Sequence, residues 1–289
     1  QEMSQVSSDY SHLTMNSLLD QALKSNQSIE YHHLTLLMKN IVLSNSRYNQ
    51  LRIIDLNGME KIRINRDAHQ NALIVPNEQL QNKSHRDNFI TSNTLKRGEM
   101  WISDIDLNIE NGVIEMPYTP VIRFSTLIYN AQGAPIAIGV LNYNIIDLLY
   151  QFNKEVNSNT HQFTVLNAES HYIIGPDSSS EWGNVLPEHQ NRKYALEHPE
   201  QWIKIQEQLS GVLSTKNGEL YFQHMEIKLN AQFKTVHQPH IVLISEIDRT
   251  YINKGSEQLL LGLQIGFLLL APTLFFLGWK LGNYQVRQR

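Results

Sequence analysis

The chain has 289 residues, with 24 Lys and Arg against 28 Asp and Glu, a formal net charge of −4 and no cysteine. That length suits one large domain or two smaller ones. The scattered cations exclude the basic face that nucleic-acid binding needs, and the missing cysteines exclude disulfides, thiolate metal sites and cysteine nucleophiles.

Residues 1–45 hold neither Pro nor Gly, and Leu13, Leu19, Leu23, Ile29, Leu36, Leu37 and Ile41 recur at mixed helical spacings. The pattern predicts one long helix, a stalk with a stripe suited to dimerisation. The period then falls to two. YNQLRIIDLNGMEKIRINR, from Tyr48 to Arg66, alternates around Asn57-Gly58. Asn-Gly between apolar runs signals a hairpin whose two central residues both take positive φ. Residues 76–95 read as a polar helix, 100–107 and 121–129 as strands, and 135–144 as a strand after a turn at Asn130–Gly133.

A connecting helix is expected at 145–156. A second, reduced module then repeats the order. It has a hairpin over 161–175 around Ala168-Glu169, a helical stretch over 187–209 interrupted before Pro199, and strands at 218–228 and 240–248. Helix then sheet, twice, is a repeat of architecture rather than of sequence.

LLLGLQIGFLLLAPTLFFLGW, from Leu259 to Trp279, carries no charge. At about 1.5 Å per residue it can cross a hydrocarbon core about 30 Å thick. Trp279 sits where aromatic belts lie, and Lys280, Arg287 and Arg289 favour a cytoplasmic tail. The chain starts at Gln1. The reading is of a fragment that follows a first membrane helix and precedes a cytoplasmic output domain, with residues 1–256 in the periplasm and the anchor in the inner membrane.

This layout resembles the double Cache, or tandem PDC, sensor of bacterial transmembrane receptors. YNQLRIIDLNGMEKIRINR is similar to the family's first hairpin, the stretch from Lys83 to Asn144 to the rest of the membrane-distal module, and VLNAESHYIIGPDSSSEWG to the opening of the proximal one. The likeness runs over residues 1 to about 255 and is strongest to the type found on histidine kinases and diguanylate cyclases. It implies an α+β fold: a long N-terminal helix (1–45), a ligand-binding distal PAS-like module (46–156), a proximal module (157–256), a transmembrane helix (257–280) and the start of a tail (281–289). It also implies a homodimer, a membrane, a small-molecule ligand and a conformational relay to a histidine kinase or diguanylate cyclase. The alternative is a docking module for a periplasmic binding protein. HRDNFITSNTL lacks the Trp-Tyr pair of the amine-binding branch, so an amino-acid ligand is not implied.

Alternation in strand 121–129 places Ile122, Phe124, Thr126 and Ile128 on one face, against the long helix. Val121, Arg123, Ser125, Leu127 and Tyr129 form the other face, toward an insert with Arg86, Trp101 and Tyr118. Ala137, Gly139 and Leu141 share a face of the next strand, where small residues leave room. A half-enclosed pocket with a cation, hydroxyls and an aromatic wall is expected. Arg123 is either a ligand contact or half of an ion pair with Asp104, Asp106 or Glu115, since a buried Arg needs a partner. Arg86 is a pocket residue or a solvated one, Trp101 a platform or core, and Tyr118 a cap or a cover. Asp104 and Asp106 share a face that suits Arg123, a ligand amine or a cation.

The ligand-site set is therefore Arg86, Trp101, Asp104, Asp106, Tyr118, Arg123, Ser125 and Tyr129, with no cofactor. The twelve histidines show no metal-ligand spacing, and no GxSxG, phosphate loop or dinucleotide fingerprint is present. No catalytic residue is expected.

Overall fold

The fold was obtained as a computed structural model that describes residues 2–14, 19–24, 28–110, 112–150, 161–227 and 233–249. The expected membrane helix at 257–280, the tail and most of the connecting helix at 145–156 lie outside the described residues. Among the described residues no helix is long and apolar enough to cross a membrane.

In chain order the elements are α1 (Glu2–Thr14), α2 (Leu19–Ala22), α3 (Ile29–Ser44), β1 (Tyr48–Asp55), β2 (Glu60–Arg66), β3 (Ala72–Ile74), α4 (Asp87–Ser92), β4 (Glu99–Ile102), β5 (Asp106–Leu107), β6 (Ile109–Glu110), β7 (Val113–Ile114), β8 (Pro120–Tyr129) and β9 (Pro135–Asn144). There follow β10 (His161–Asn167), β11 (Tyr172–Ile174), α5 (Tyr194–Glu197), α6 (Pro199–Gln206), β12 (Ser210–Ser214), β13 (Gly218–Glu226), β14 (Lys234–His237) and β15 (His240–Asp248). They form two compact units, neither continuous in sequence. The first comprises Gln1–Asp104, Thr119–Ile145 and Lys228–Gln238. The second comprises Ile105–Tyr118, Ile146–Ile227 and Pro239–Arg289. A single cut near residue 156, as the sequence suggests, therefore leaves 105–118 and 228–238 in the wrong unit.

The stretch read as one helix breaks before α3. Ser28 is extended (φ −74°, ψ 155°) and its hydroxyl accepts the Tyr31 N–H, so α3 starts anew from an N-cap. Leu34, Met38, Ile41 and Val42 then bury one face of α3, and α2 packs beside it. The first unit's sheet runs β14-β4-β8-β9-β1-β2-β3. Every pair named in that order is antiparallel except β14 with β4, which is parallel. The second unit's sheet, β11-β10-β15-β13-β12, is antiparallel throughout.

Four hairpins share one turn. Asp55, Asp67, Asn130 and Asn167 each accept on the backbone C=O the N–H of the residue three further on, and on Oδ1 the N–H of the residue after that. The third residue on has positive φ: Gly58 90°, Gln70 67°, Gly133 81° and Ser170 67°. The short Asx side chain substitutes for a ladder bond, which lets Gln70 and Ser170 hold a conformation that usually selects glycine. The expected Asn57-Gly58 turn is corrected accordingly. Asn57 is not among the positive-φ residues, and the Asp55 carboxylate organises a longer loop instead.

The sheet of the first unit has two covered faces, with the alternation expected for β8. Gly139 opposes Thr126 across β8 and β9, and a Cβ there would lie 3.3 Å from Tyr10 Cε1 of α1. Ala137 and Leu141 oppose Ile128 and Phe124 on the same side. These small residues therefore admit helix α1 and do not enlarge a pocket on the other face, which corrects that expectation. On the α4 side, Phe89 and Leu95 pack with Ile54, Leu127, Ile138 and Val140. The expected helix over 76–95 is reduced to a 3-10 turn at Asn77–Gln79 and α4. Between them Lys83 N–H donates to Gly58 O at 2.7 Å, and Asn82 bridges to Met59, so the segment is spent covering the first hairpin.

Candidate ligand site

Six of the eight residues picked from the sequence belong to the first unit. Asp106 and Tyr118 fall in the segment that belongs to the second. Ser125 is fully buried, with its Oγ 2.5 Å from Ser92 Oγ of α4. The Tyr129 hydroxyl donates to Leu95 O at 2.9 Å. Both hydroxyls thus hold the α4 segment to the sheet. Arg86 is half-buried and precedes α4, where its carbonyl accepts the Phe89 and Ile90 N–H groups. Arg123 is half-buried, and its backbone exchanges two hydrogen bonds with Ser103, both 2.8 Å.

Trp101 and Asp104 are joined by a residue that sequence reasoning passed over. His237 of β14 stacks on the Trp101 ring (centroids 6.3 Å apart, 26° between planes), and its Nε2 is 3.3 Å from Asp104 Oδ1. Lys234, on the same strand, pairs with Glu99 at 3.2 Å. The Lys96 N–H first, then Lys234, holds the Glu99 carboxyl below its ordinary pKa. Of the counter-ions considered for Arg123, Asp104 faces His237, and Glu115 accepts from Asn108 Nδ2 at 3.0 Å. His237 could not be found from the sequence, because its strand joins the sheet from more than a hundred residues away.

The α4 face of the sheet also buries charge. Directly opposed residues of antiparallel strands share a face, so the register groups Arg123, Asn142, Gln50 and Asn65 in one row, and Ser125, Val140, Arg52 and Arg63 in the next. Arg52 (4% exposed), Glu60 (1%), Arg63 (5%), Lys83 (3%), Asn88 (6%) and Asn142 (0%) are all buried. Glu60 is the hub. Its Oε2 accepts Arg63 Nη1 at 3.1 Å and the Gln81 N–H at 2.9 Å, and its Oε1 is 3.7 Å from Arg52 Nε. Arg63 Nη2 also donates to Gln79 O, and Lys83 Nζ to Gln81 Oε1. Even so, Glu60 Oε1 and Asn88 Nδ2 are buried without a hydrogen-bond partner. Each such buried atom costs about 1–3 kcal/mol. The signal that would have found Arg52 and Arg63 is the one that raised Arg123: an arginine inside an apolar strand, here in LRIID and KIRIN.

The matching face of the second unit is apolar. Tyr194, Trp202 and Ile205 of α5 and α6 pack on Leu166, Tyr172, Leu220, Phe222, Val242 and Ile244. Polar groups sit at the ends of that face. His224 Nδ1 is 2.7 Å from His240 Nε2, and His224 Nε2 is 2.8 Å from Ile205 O. Near Tyr172, Tyr194 and His198, burial pushes the Glu246 carboxyl above its ordinary pKa. Among the described residues no group of three or more His, Asp or Glu is placed to hold a metal.

Comparison with known proteins places this geometry. The model of the family described as the bacterial histidine kinase sensor domain matches residues 1–237. A domain of a sensory box/GGDEF family protein from Vibrio parahaemolyticus is 21% identical, with a TM-score of 0.71, covering 87% of this chain and 91% of that one. The extracellular domain of the histidine kinase vpHK1S-Z8 is 20% identical, with a TM-score of 0.71, covering 89% and 88%. The periplasmic sensory domain of the Campylobacter jejuni chemoreceptor Tlp1 is 11% identical, with a TM-score of 0.58, covering 88% and 93%. No curated protein matches. The structural likeness is one of fold, and it upholds the double Cache resemblance. The described part is thus a sensor domain rather than a catalytic one, and the chain belongs to the bacterial histidine kinase sensor domain family.

Proposed function

We propose that the chain is the extracytoplasmic input part of a membrane-anchored signalling receptor, and that its first unit binds a small polar molecule beneath α4. The carrying observation is a sheet face that buries Arg52, Glu60, Arg63, Lys83 and Asn142 together, beside Asn88 of α4, whose buried Nδ2 makes no hydrogen bond. A ligand that bonded it would recover part of its desolvation cost. Arg123, Arg86 and Trp101 are the further contacts in this reading, with Asp104 at its margin. Ser125 and Tyr129 act through α4, because their hydroxyls tie that segment to β8.

The signal is then the difference in ligand affinity between two packings of α4 on the sheet, since equal affinity shifts nothing. The second unit passes the shift to the apolar segment 257–279, which anchors the receptor in the inner membrane. A homodimer and a cytoplasmic histidine kinase or diguanylate cyclase complete the scheme. The extracellular and periplasmic relatives named above support the location.

Thermal-shift screening of the full chain against small polar metabolites tests the reading. A ligand at 100 times its Kd adds about 2.7 kcal/mol. Asn142→Leu and Asn88→Leu should abolish that shift while leaving the unliganded melting cooperative. A shift that survives both substitutions moves the ligand elsewhere. No shift from any compound, together with capture of a purified periplasmic binding protein, favours the docking alternative.

A further inference from the structure

We infer that the first unit carries a second ligand site, separate from the buried charges of the α4 face, and that it takes a small hydroxylated monocarboxylate. A cleft of about 570 Å³ lies between the last turn of α1 and helix α2 on one side and the far end of β8 with its hairpin turn on the other. That volume is in the range of small-molecule sites, about 300–1,000 Å³. None of Arg52, Glu60, Arg63, Asn88 or Asn142 lines it.

The chemistry of the walls follows from which polar groups are already used. Ser11, Thr14, Thr126 and Tyr129 all donate their hydroxyl protons to backbone carbonyls, so those hydroxyls hold the walls in shape. Arg97, Gln21 and Gln132 make no side-chain hydrogen bond or ion pair among the described residues. They are the groups open to a ligand. Arg97 is exposed, so its guanidinium is open to solvent and to a ligand. Phe233 and the ring of Tyr129 supply flat apolar wall.

A guanidinium is a planar fork that matches a carboxylate in two parallel bonds. The two amides each donate and accept, which suits hydroxyl groups. Asp20 lines the cleft as well, held only by exposed Lys24 at 3.5 Å. Its charge opposes a phosphate dianion but accepts a hydroxyl proton. One cation, one carboxylate and two amides therefore suit a ligand with a single negative charge and several hydroxyls.

Calorimetric titration of the full chain with D-gluconate tests this. The expected result is saturable binding, weakened at least about tenfold by Arg97→Gln, as loss of a charged hydrogen-bond pair implies. Arg97→Lys should bind between the two, since it keeps the charge and loses the fork. Arg97 is exposed, so its substitution does not threaten the fold. D-glucose, which lacks the carboxylate, should bind at least about tenfold more weakly than gluconate. Asn142→Leu should leave gluconate binding unchanged, which separates this site from the one beneath α4. The proposal is overturned if gluconate gives no binding up to about 20 mM, a concentration that reveals millimolar affinity. It is equally overturned if glucose binds as tightly, or if Arg97→Gln binds like the parent.

Discussion

Beneath α4 the first unit buries Arg52, Glu60, Arg63 and Asn142, whereas beneath α5 and α6 the second buries Leu166, Leu220, Phe222, Val242 and Ile244. Both units lay short helices on a face of a largely antiparallel sheet, so the architecture does not set the difference. The residues at alternate strand positions do. An apolar interface closes fully and gains about 25 cal/mol for each Å² removed from water. A charged interface has to satisfy every polar atom, and here Glu60 Oε1 and Asn88 Nδ2 make no hydrogen bond. In the function proposed above, the second unit is the support and the first the binding surface.

The comparison can be broken most forcefully at Trp202. Trp202→Ala opens the apolar cluster of the second unit and should cost about 3–5 kcal/mol. Hydrogen exchange of β13 and β15 amides reads that loss, and the β1 and β9 amides should be unaffected. A loss below about 1 kcal/mol would mean the cluster is not a cooperative core.

In the first unit, Glu60→Gln leaves Arg52 and Arg63 without their shared carboxylate. It should cost about 3 kcal/mol by urea unfolding, the range for breaking a buried ion pair. Replacing all three by apolar residues of similar size (Arg52→Met, Glu60→Leu, Arg63→Met) should restore most of that stability. If the charged layer serves binding, the same triple variant loses the thermal shift with its ligand. Retained ligand response in a stable triple variant would count against the site.

The shared turn gives a smaller test that treats both units alike. Asn130→Ala and Asn167→Ala each remove a side-chain acceptor from a hairpin, and each should cost about 1 kcal/mol. Unequal costs would show that the turn is not an equivalent device in the two units.

The smallest effect is a pH dependence. Burial raises the folded pKa of Glu246 and of Glu181, both in the second unit. The folded state therefore holds those protons more tightly than the unfolded state. This contribution is present below the ordinary glutamate pKa and is lost as pH rises through the raised values. Glu246→Gln mimics the protonated form. It should stabilise the second unit at neutral pH and change little at pH 4, measured as Tm against pH. The opposite trend would place Glu246 in a favourable charge interaction.

Much of the fold was legible in the residues. Apolar runs, alternation and the turn residues between them marked β1, β2, β8, β9, β10, β13 and β15, because these are properties of neighbouring positions. The break before Pro199 was legible for the same local reason, a proline at the first turn of α6. Strand β14 was not legible. KTVH is too short to carry a period, and its place beside β4 is a pairing with distant residues.

The restart of α3 within the N-terminal stretch also escaped the pattern. Apolar spacing is compatible with one helix or several, and Ser28 acts as a cap only where the chain turns. For the site, the sequence singled out Arg123 by its odd setting, and the same logic applied to Arg52 and Arg63. It did not reveal that Ser125 and Tyr129 face α4, or that Trp101 meets His237.

By itself, then, the sequence determined the elements and their order, because helix and strand periods, turn residues and apolar runs are properties of neighbouring positions. Tertiary structure alone decided which charges are buried together, which hydroxyls are already bonded and where open space remains. Those facts depend on residues brought together from far along the chain, and no local pattern encodes the distance between them.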